Sequence, residues 1–248
     1  MNQVQTNVIF NHAYNFHRSD KKILIEQGGS RSGKTYNLLV WIIFDYCFQH
    51  KNHIVTICRK TFPSLRGTVM RDFLDILKSF ELYSEKNHNK SNSEYYLNNN
   101  TIEFISLDQP AKIRGRKRNL LFVNECNEID WDSWQQLIFR TEGQIIIDYN
   151  PSEANHWIYD KVETRDDAVF FKTTYKDNPF IDKTLVHELE RLKETDEEYW
   201  QVFGLGERAL SRTQIFSFTT INKIPEDAKF LSIGMDFGYT NDPTAAVE

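Results

Sequence analysis

The chain has 248 residues and a mass of 29.4 kDa, is 40% apolar and 14% aromatic, and carries a formal net charge of -5. That length and apolar content can fill one large α/β domain with appendages. They exclude a membrane-spanning helix, because no run of eighteen apolar residues occurs, and the N-terminus lacks the basic-then-apolar pattern of a secretory signal. A soluble intracellular protein with no membrane partner is therefore expected.

The charge is divided unevenly, with net +8 over residues 1–120 and net -13 over residues 121–248. A basic face on the first half would suit phosphate backbones. Cys47, Cys58 and Cys126 stand singly within apolar segments, without metal-type spacing, and read as buried reduced thiols.

Residues 1–21 are polar, with Phe10, Tyr14 and Phe16 available to pack beneath a sheet or, beside a nucleotide, to stack on its base. Lys22–Gln27 suits a short buried strand, and Tyr36–Phe48 is a nearly continuous apolar run that predicts a buried helix. Between them, Gly28-Gly29-Ser30-Arg31-Ser32-Gly33-Lys34-Thr35 spells G-x-x-x-x-G-K-T. Glycines let such a loop aim successive backbone N–H groups at one anion, and the following helix adds the positive end of its dipole. Lys34 is then expected to reach the β- and γ-phosphates of ATP, and the Thr35 hydroxyl to hold Mg2+.

His53–Arg59 predicts a second buried strand, and Pro63 opens a helix running to about Phe80. Strand and helix alternating in this order imply a parallel sheet with right-handed crossovers. Arg59, Lys60, Arg66 and Arg71 fall where that strand ends, and could meet DNA, a neighbouring subunit or solvent. Glu94–Leu97 and Thr101–Ile105, joined by three asparagines, predict a hairpin. Lys112, Arg114, Arg116, Lys117 and Arg118 then put five cations into seven residues.

The apolar run Leu120–Val123 ends in Asn124-Glu125. A strand ending in two such residues beside a phosphate loop suits a magnesium-nucleotide enzyme: the first orients the metal's water shell and the second acts as general base. Glu125 fits the base. Asn124 stands where an aspartate is usual and brings no charge, so the metal is expected to depend more on Thr35 and the phosphates. The strand Gln144–Asp148 leads into Tyr149-Asn150-Pro151, where Asn150 either contacts the γ-phosphate or the attacking water, or simply forms a turn.

The ordered set of these segments resembles the ATPase domain of the large terminase subunit of tailed bacteriophages. Beyond the loop, it takes in Arg59–Arg66, Asn124-Glu125, Asp148–Pro151 with His156-Trp157, Thr173–Phe180 and Phe203-Gly204-Leu205-Gly206-Glu207. The resemblance implies an α/β P-loop NTPase of the additional-strand, catalytic-glutamate type. Its mainly parallel central sheet would be flanked by helices and followed by a small helical lid or linker. It implies Arg31 as an extra loop arginine, Glu125 as the catalytic carboxylate and Asn150 as the coupling asparagine. Arg114, with Arg116 a near second, would be an arginine finger offered in trans, although a DNA contact or a surface cluster stays open for both. The implied partners are double-stranded DNA, a ring of copies of this chain on the portal protein, and the small terminase subunit, in the cytoplasm of an infected bacterial host.

The expected division is an ATPase core over 1–160, a lid or linker over 161–228 and, over 229–248, the first strand of a ribonuclease-H-like nuclease with Asp236 as its first metal carboxylate. The remaining carboxylates of a two-metal site are not in this sequence, so no DNA cleavage by this chain is expected. Two other readings share the loop: a nucleotide-dependent DNA-binding or assembly switch with weak ATPase activity, and a P-loop kinase.

Overall fold

The computed structural model describes residues 4–108 and 117–209, together with the backbone of 234–236 and 245–247. The chain divides into two units, Met1–Ser211 and Arg212–Glu248. Helix α1 (Val8–His17) starts where the Asn7 side chain accepts from the Ile9 N–H, an ordinary N-cap. Strand β1 (Ile23–Gly28) feeds the phosphate loop, and α2 (Lys34–Trp41) continues through a π-turn at Ile42–Tyr46. Strand β2 (Ile54–Arg59) is followed by α3 (Phe62–Leu65), which Thr61 caps and Pro63 opens, then by a π-turn at Arg66–Met70 and α4 (Arg71–Ser79).

Strands β3 (His88–Asn89), β4 (Glu94–Leu97) and β5 (Asn100–Ser106) come next. Asn98 and Asn99 have φ of 48° and 63°, the left-handed pair that a tight β4–β5 turn requires. The chain goes on through β6 (Arg118–Val123), α5 (Trp131–Ile138), β7 (Thr141–Tyr149), α6 (Trp157–Lys161) and β8 (Ala168–Thr173). Helices α7 (Lys183–Thr195) and α8 (Glu197–Tyr199) follow, the latter running into a π-turn at Trp200–Gly204. In the second unit β9 (Gly234–Asp236) pairs antiparallel with β10 (Ala245–Val247).

The main sheet has the order β3-β4-β5-β2-β6-β7-β1-β8, with β8, β1, β7, β6, β2 and β5 parallel and β4 and β3 added antiparallel. Both faces of the inner strands are covered, which is why they read as continuous apolar runs rather than alternating ones. Leu120, Phe122 and Ile146 pack with α1, α2 and α4 on one face; Leu121, Val123, Ile145 and Ile147 pack with α5 and α6 on the other. Strand β7 lies between β1 and β6, so the loop strand and the strand ending in Asn124-Glu125 are not direct neighbours.

The structure departs from the sequence expectations in particular places. Ala168–Thr173, expected within a helical region, is the edge strand paired with β1; its alternating Val169, Phe170 and Phe171 suit a half-covered edge. Arg118, counted with the surface cations, is buried as the first residue of β6, whereas Lys117 is exposed and pairs with Glu142 at 2.7 Å. Arg59 is likewise engaged internally, bonding Glu128 at 2.9 Å and Thr68 at 2.9 Å. Arg114 and Arg116 lie outside the described residues, and so does the side chain of Asp236. The three cysteines are free and buried, and burial pushes the Cys47 and Cys58 thiols up to about 12.

Candidate nucleotide site

Parallel strands deliver their C-terminal ends to one edge of a sheet, and in open α/β sheets that edge is where ligands gather. Here β1, β7 and β6 deliver Gly28, Tyr149 and Val123, and the residues just past them border a cavity of about 470 Å³ lined by the loop, Glu125, Asn150 and Asn178. Gly33, the residue before α2, has φ of 86°, a left-handed conformation that lets the loop swing directly into the helix. The first N–H groups of α2 have no acceptor within their own helix and begin at this cavity.

Lys34 is buried. Its Nζ donates to the Gly28 and Gly29 carbonyls, each at 3.0 Å, and to Asn150 Oδ1 at 2.9 Å. Burial lowers its pKa, while Asp148, Glu125 and Glu26 oppose that shift. The Asn150 amide also donates to Ser30 Oγ at 3.3 Å, so this side chain bridges the loop and its lysine rather than forming only a turn. Arg31 is exposed, with φ of 64°, and its carbonyl accepts from Asn178 Nδ2 at 2.8 Å.

Glu125 also has a left-handed backbone, φ 51° and ψ 57°. A non-glycine residue held there costs about 1–3 kcal/mol and persists only where its surroundings enforce it. Its N–H donates to Asp148 Oδ1 at 2.9 Å. Partial burial and the Asp148 charge push the Glu125 carboxyl up to about 7, against the pull of Lys34 and Arg59. Asp148 is 1% exposed and raised by its own burial. Its Oδ2 accepts from the Thr35 hydroxyl at 2.7 Å, and Asn124 Nδ2 donates to its Oδ1 at 2.9 Å and to Thr35 Oγ1 at 3.1 Å.

Sequence reasoning left several participants without a role. Asp148 interrupts an apolar run one residue before the end of β7, much the same signal that drew attention to Asn124 just after β6. Asn7 donates through Nδ2 to the Ser32 carbonyl at 2.8 Å and accepts on its side chain from Ile9, tying α1 to the loop. The segment Phe203–Gly206 docks on the loop backbone: the Ser30 N–H donates to the Phe203 carbonyl at 2.6 Å and Gln27 Nε2 to the Gly206 carbonyl at 2.7 Å. Gly206 has φ of 67°, and a Cβ there would stand 2.7 Å from the Gly29 nitrogen.

The donor set fits a magnesium nucleotide: a cradle of loop N–H groups for phosphate, one ammonium, one hydroxyl and one carboxylate, all hard ligands or their partners. The fold and this loop define an α/β P-loop NTPase with an extra strand inserted between the loop strand and the strand of the acidic residue. The family is narrower. The family model described as phage terminase large subunit matches residues 20–207, and the chain belongs to that family.

The chain is 23% identical over 256 residues to the PBSX phage terminase large subunit of Bacillus subtilis (strain 168), a match that covers 89% of this chain and 59% of that protein. It is similar to the large terminase of a thermophilic bacteriophage in complex with ADP. That match has a TM-score of 0.65 at 19% identity and covers 82% of this chain and 53% of the other. The large terminase ATPase domain of Thermus phage P74-26 matches with a TM-score of 0.56 at 17% identity, over 79% of this chain and 92% of that domain. The chain thus spans little more than half the length of the first two. Among the described residues no helix is long and apolar enough to cross a membrane.

Proposed function

We propose that this chain hydrolyses ATP as the motor of a viral terminase, moving double-stranded DNA into a procapsid as one of a ring of copies on the portal, with the small subunit as partner. The observation that carries the reading is the meeting of Lys34, Thr35, Glu125 and Asn150, from three strand ends, at one cavity in a chain of the terminase large-subunit family. The loop N–H groups and Lys34 bind the phosphates, and Thr35, Asn124 and Asp148 are the residues that would hold magnesium. When bound, that ion neutralises charge on the phosphate oxygens.

Glu125 takes the proton of the attacking water, and its raised pKa suits a base working near neutrality. Asn150, bonded to Lys34, feels any change in what the lysine holds and passes it to the loop through Ser30. An arginine from 114–116 of a neighbouring copy completes the transition state, which makes turnover depend on protein concentration. Such fingers are worth about 10³ to 10⁵ in rate.

Phosphate release measured over a range of protein concentrations, with and without DNA, tests this. Release abolished by both Lys34→Ala and Glu125→Gln, and rising more than linearly with concentration, is expected. Release that survives both substitutions, or γ-phosphate recovered on an added acceptor, overturns it in favour of a contaminant or a kinase.

A further inference from the structure

We propose that Asp148, not the residue preceding Glu125, carries the negative charge of the magnesium site, the acid and amide having exchanged places between neighbouring strands. The inference rests on the ATPase reading above and goes one step past it. The register pairs Val123 with Ile147, which sets Asn124 directly beside Asp148 at the same sheet edge. Both residues are nearly inaccessible, at 2% and 1%.

Two carboxylates so close in a buried site would repel and force one to keep its proton. One acid and one amide resolve this: Asn124 Nδ2 donates to both Asp148 oxygens, at 2.9 and 3.2 Å. The acid occupies the β7 position, and there it does what a metal site requires of it. It accepts the Thr35 hydroxyl proton at 2.7 Å, which leaves a lone pair of that oxygen to face a cation. It also accepts from the Glu125 N–H, so the residue that fixes the metal ligand also fixes the backbone of the proposed base.

A buried carboxylate is costly unless its oxygens are matched by donors or cations. Among the described residues no lysine or arginine forms a direct ion pair with Asp148: its hydrogen-bond partners are neutral donors, and the Lys34 ammonium acts on it only from beyond ion-pair distance. Its pKa stays raised by burial, so a divalent cation beside Thr35 would supply the closer counter-charge.

The test compares wild type with D148N, N124D and the exchanged pair N124D/D148N. Binding of fluorescent ATP is titrated with magnesium and, separately, in EDTA; Mn2+ binding is read by electron paramagnetic resonance, and melting curves check the fold. D148N should raise the magnesium concentration for half-saturation about 10- to 100-fold, the usual effect of losing a residue that orients a metal ligand. Its EDTA affinity, which depends on Lys34 and the loop, should hold. The exchanged pair should recover most of the metal dependence, and N124D should make the melting temperature rise steeply with magnesium.

D148N with wild-type half-saturation overturns the proposal. So does a folded exchanged pair that stays defective, since Asp148 would then be only a strut for Glu125. If D148N does not fold, the exchanged pair decides by the same criterion. A wild-type chain with no magnesium-dependent ATP binding overturns the ATPase reading as well, which separates the two failures.

Discussion

The phosphate loop and the acidic rim facing it are built in opposite ways. The loop is one contiguous segment, residues 28–35, whose geometry follows from a strand before it, a helix after it and a left-handed Gly33 between. The rim is assembled from two strands that are distant in sequence and adjacent in space: Asn124-Glu125 at the end of β6 and Asp148 at the end of β7, joined by side-chain and backbone hydrogen bonds. The first tolerates no change of order. On the proposal above, the second needs one acid and one amide side by side at the sheet edge, with the acid reaching both Thr35 and the Glu125 N–H.

The largest effects should separate the two halves. Lys34→Ala removes the loop's only ammonium and should abolish both nucleotide binding and hydrolysis. Glu125→Gln leaves the cradle intact and should lower the single-turnover rate about 10²- to 10⁴-fold, the usual worth of a positioned base, with affinity preserved. Equal loss of affinity in both variants, measured by binding titration, would mean that the rim helps to shape the cradle and that the division into halves is false.

This division also explains how far the sequence could be read. The loop, its strand and its helix were legible because every determinant is local, down to the apolar run of α2. Strands β2, β6 and β7 were legible from the same apolar runs, and the Asn98-Asn99 turn from its chemistry. What could not be read is adjacency. No spacing rule places residue 148 beside 124, because β7 is inserted between β1 and β6 only in the folded sheet. Burial of Arg118 was hidden for a similar reason: in sequence it ends a run of cations, and only its pairing as the first residue of β6 takes it inside. Edge strand β8 misled in the other direction: its apolar run, 168–171, is only four residues long and only partly covered, and it lies next to the charged segments 163–167 and 172–177, so it did not stand out as a strand.

The next effect concerns how the loop is held from outside. Gly206→Ala places a methyl group against the Gly29 nitrogen and Gly28 Cα, at 2.7 and 2.8 Å, in a left-handed backbone. Overpacking and the left-handed penalty together should reduce unfolding free energy by about 2 to 4 kcal/mol. Urea denaturation followed by fluorescence measures this, and an unchanged midpoint would show that residues 203–207 lift away from the loop at little cost.

A smaller effect is set by pH. Glu26 on β1 is fully buried and raised to about 7, chiefly by desolvation, with His12 of α1, Lys34 of α2 and Asp148 of β7 as its charged neighbours. The folded chain therefore holds a proton that the unfolded chain releases above about 4.5, so stability from this group is complete below that pH and is lost as pH rises to about 7. Glu26→Gln should remove about 1 to 3 kcal/mol of pH-dependent loss between pH 5 and 8, seen as a flatter stability profile than wild type. Parallel profiles would show that His12, bonded at 2.9 Å, already compensates the charge.

The smallest effect has the opposite sign and uses the same chemical change as Gly206→Ala. Gly67 lies in the π-turn after α3, exposed, and a Cβ there would meet no atom within 4 Å. Its backbone is helical, so alanine should cost nothing in the folded state and remove freedom from the unfolded one, a gain of about 0.5 to 1 kcal/mol. A gain in the urea midpoint confirms that this turn beside Arg66 is shaped by the fold alone. A loss of stability would contradict the helical backbone on which the gain depends. A gain in stability accompanied by weaker DNA-stimulated phosphate release would instead mark Gly67 as a point where another backbone approaches. The sheet edge would then have a second working surface, placed at the end of β2 rather than at β6 and β7.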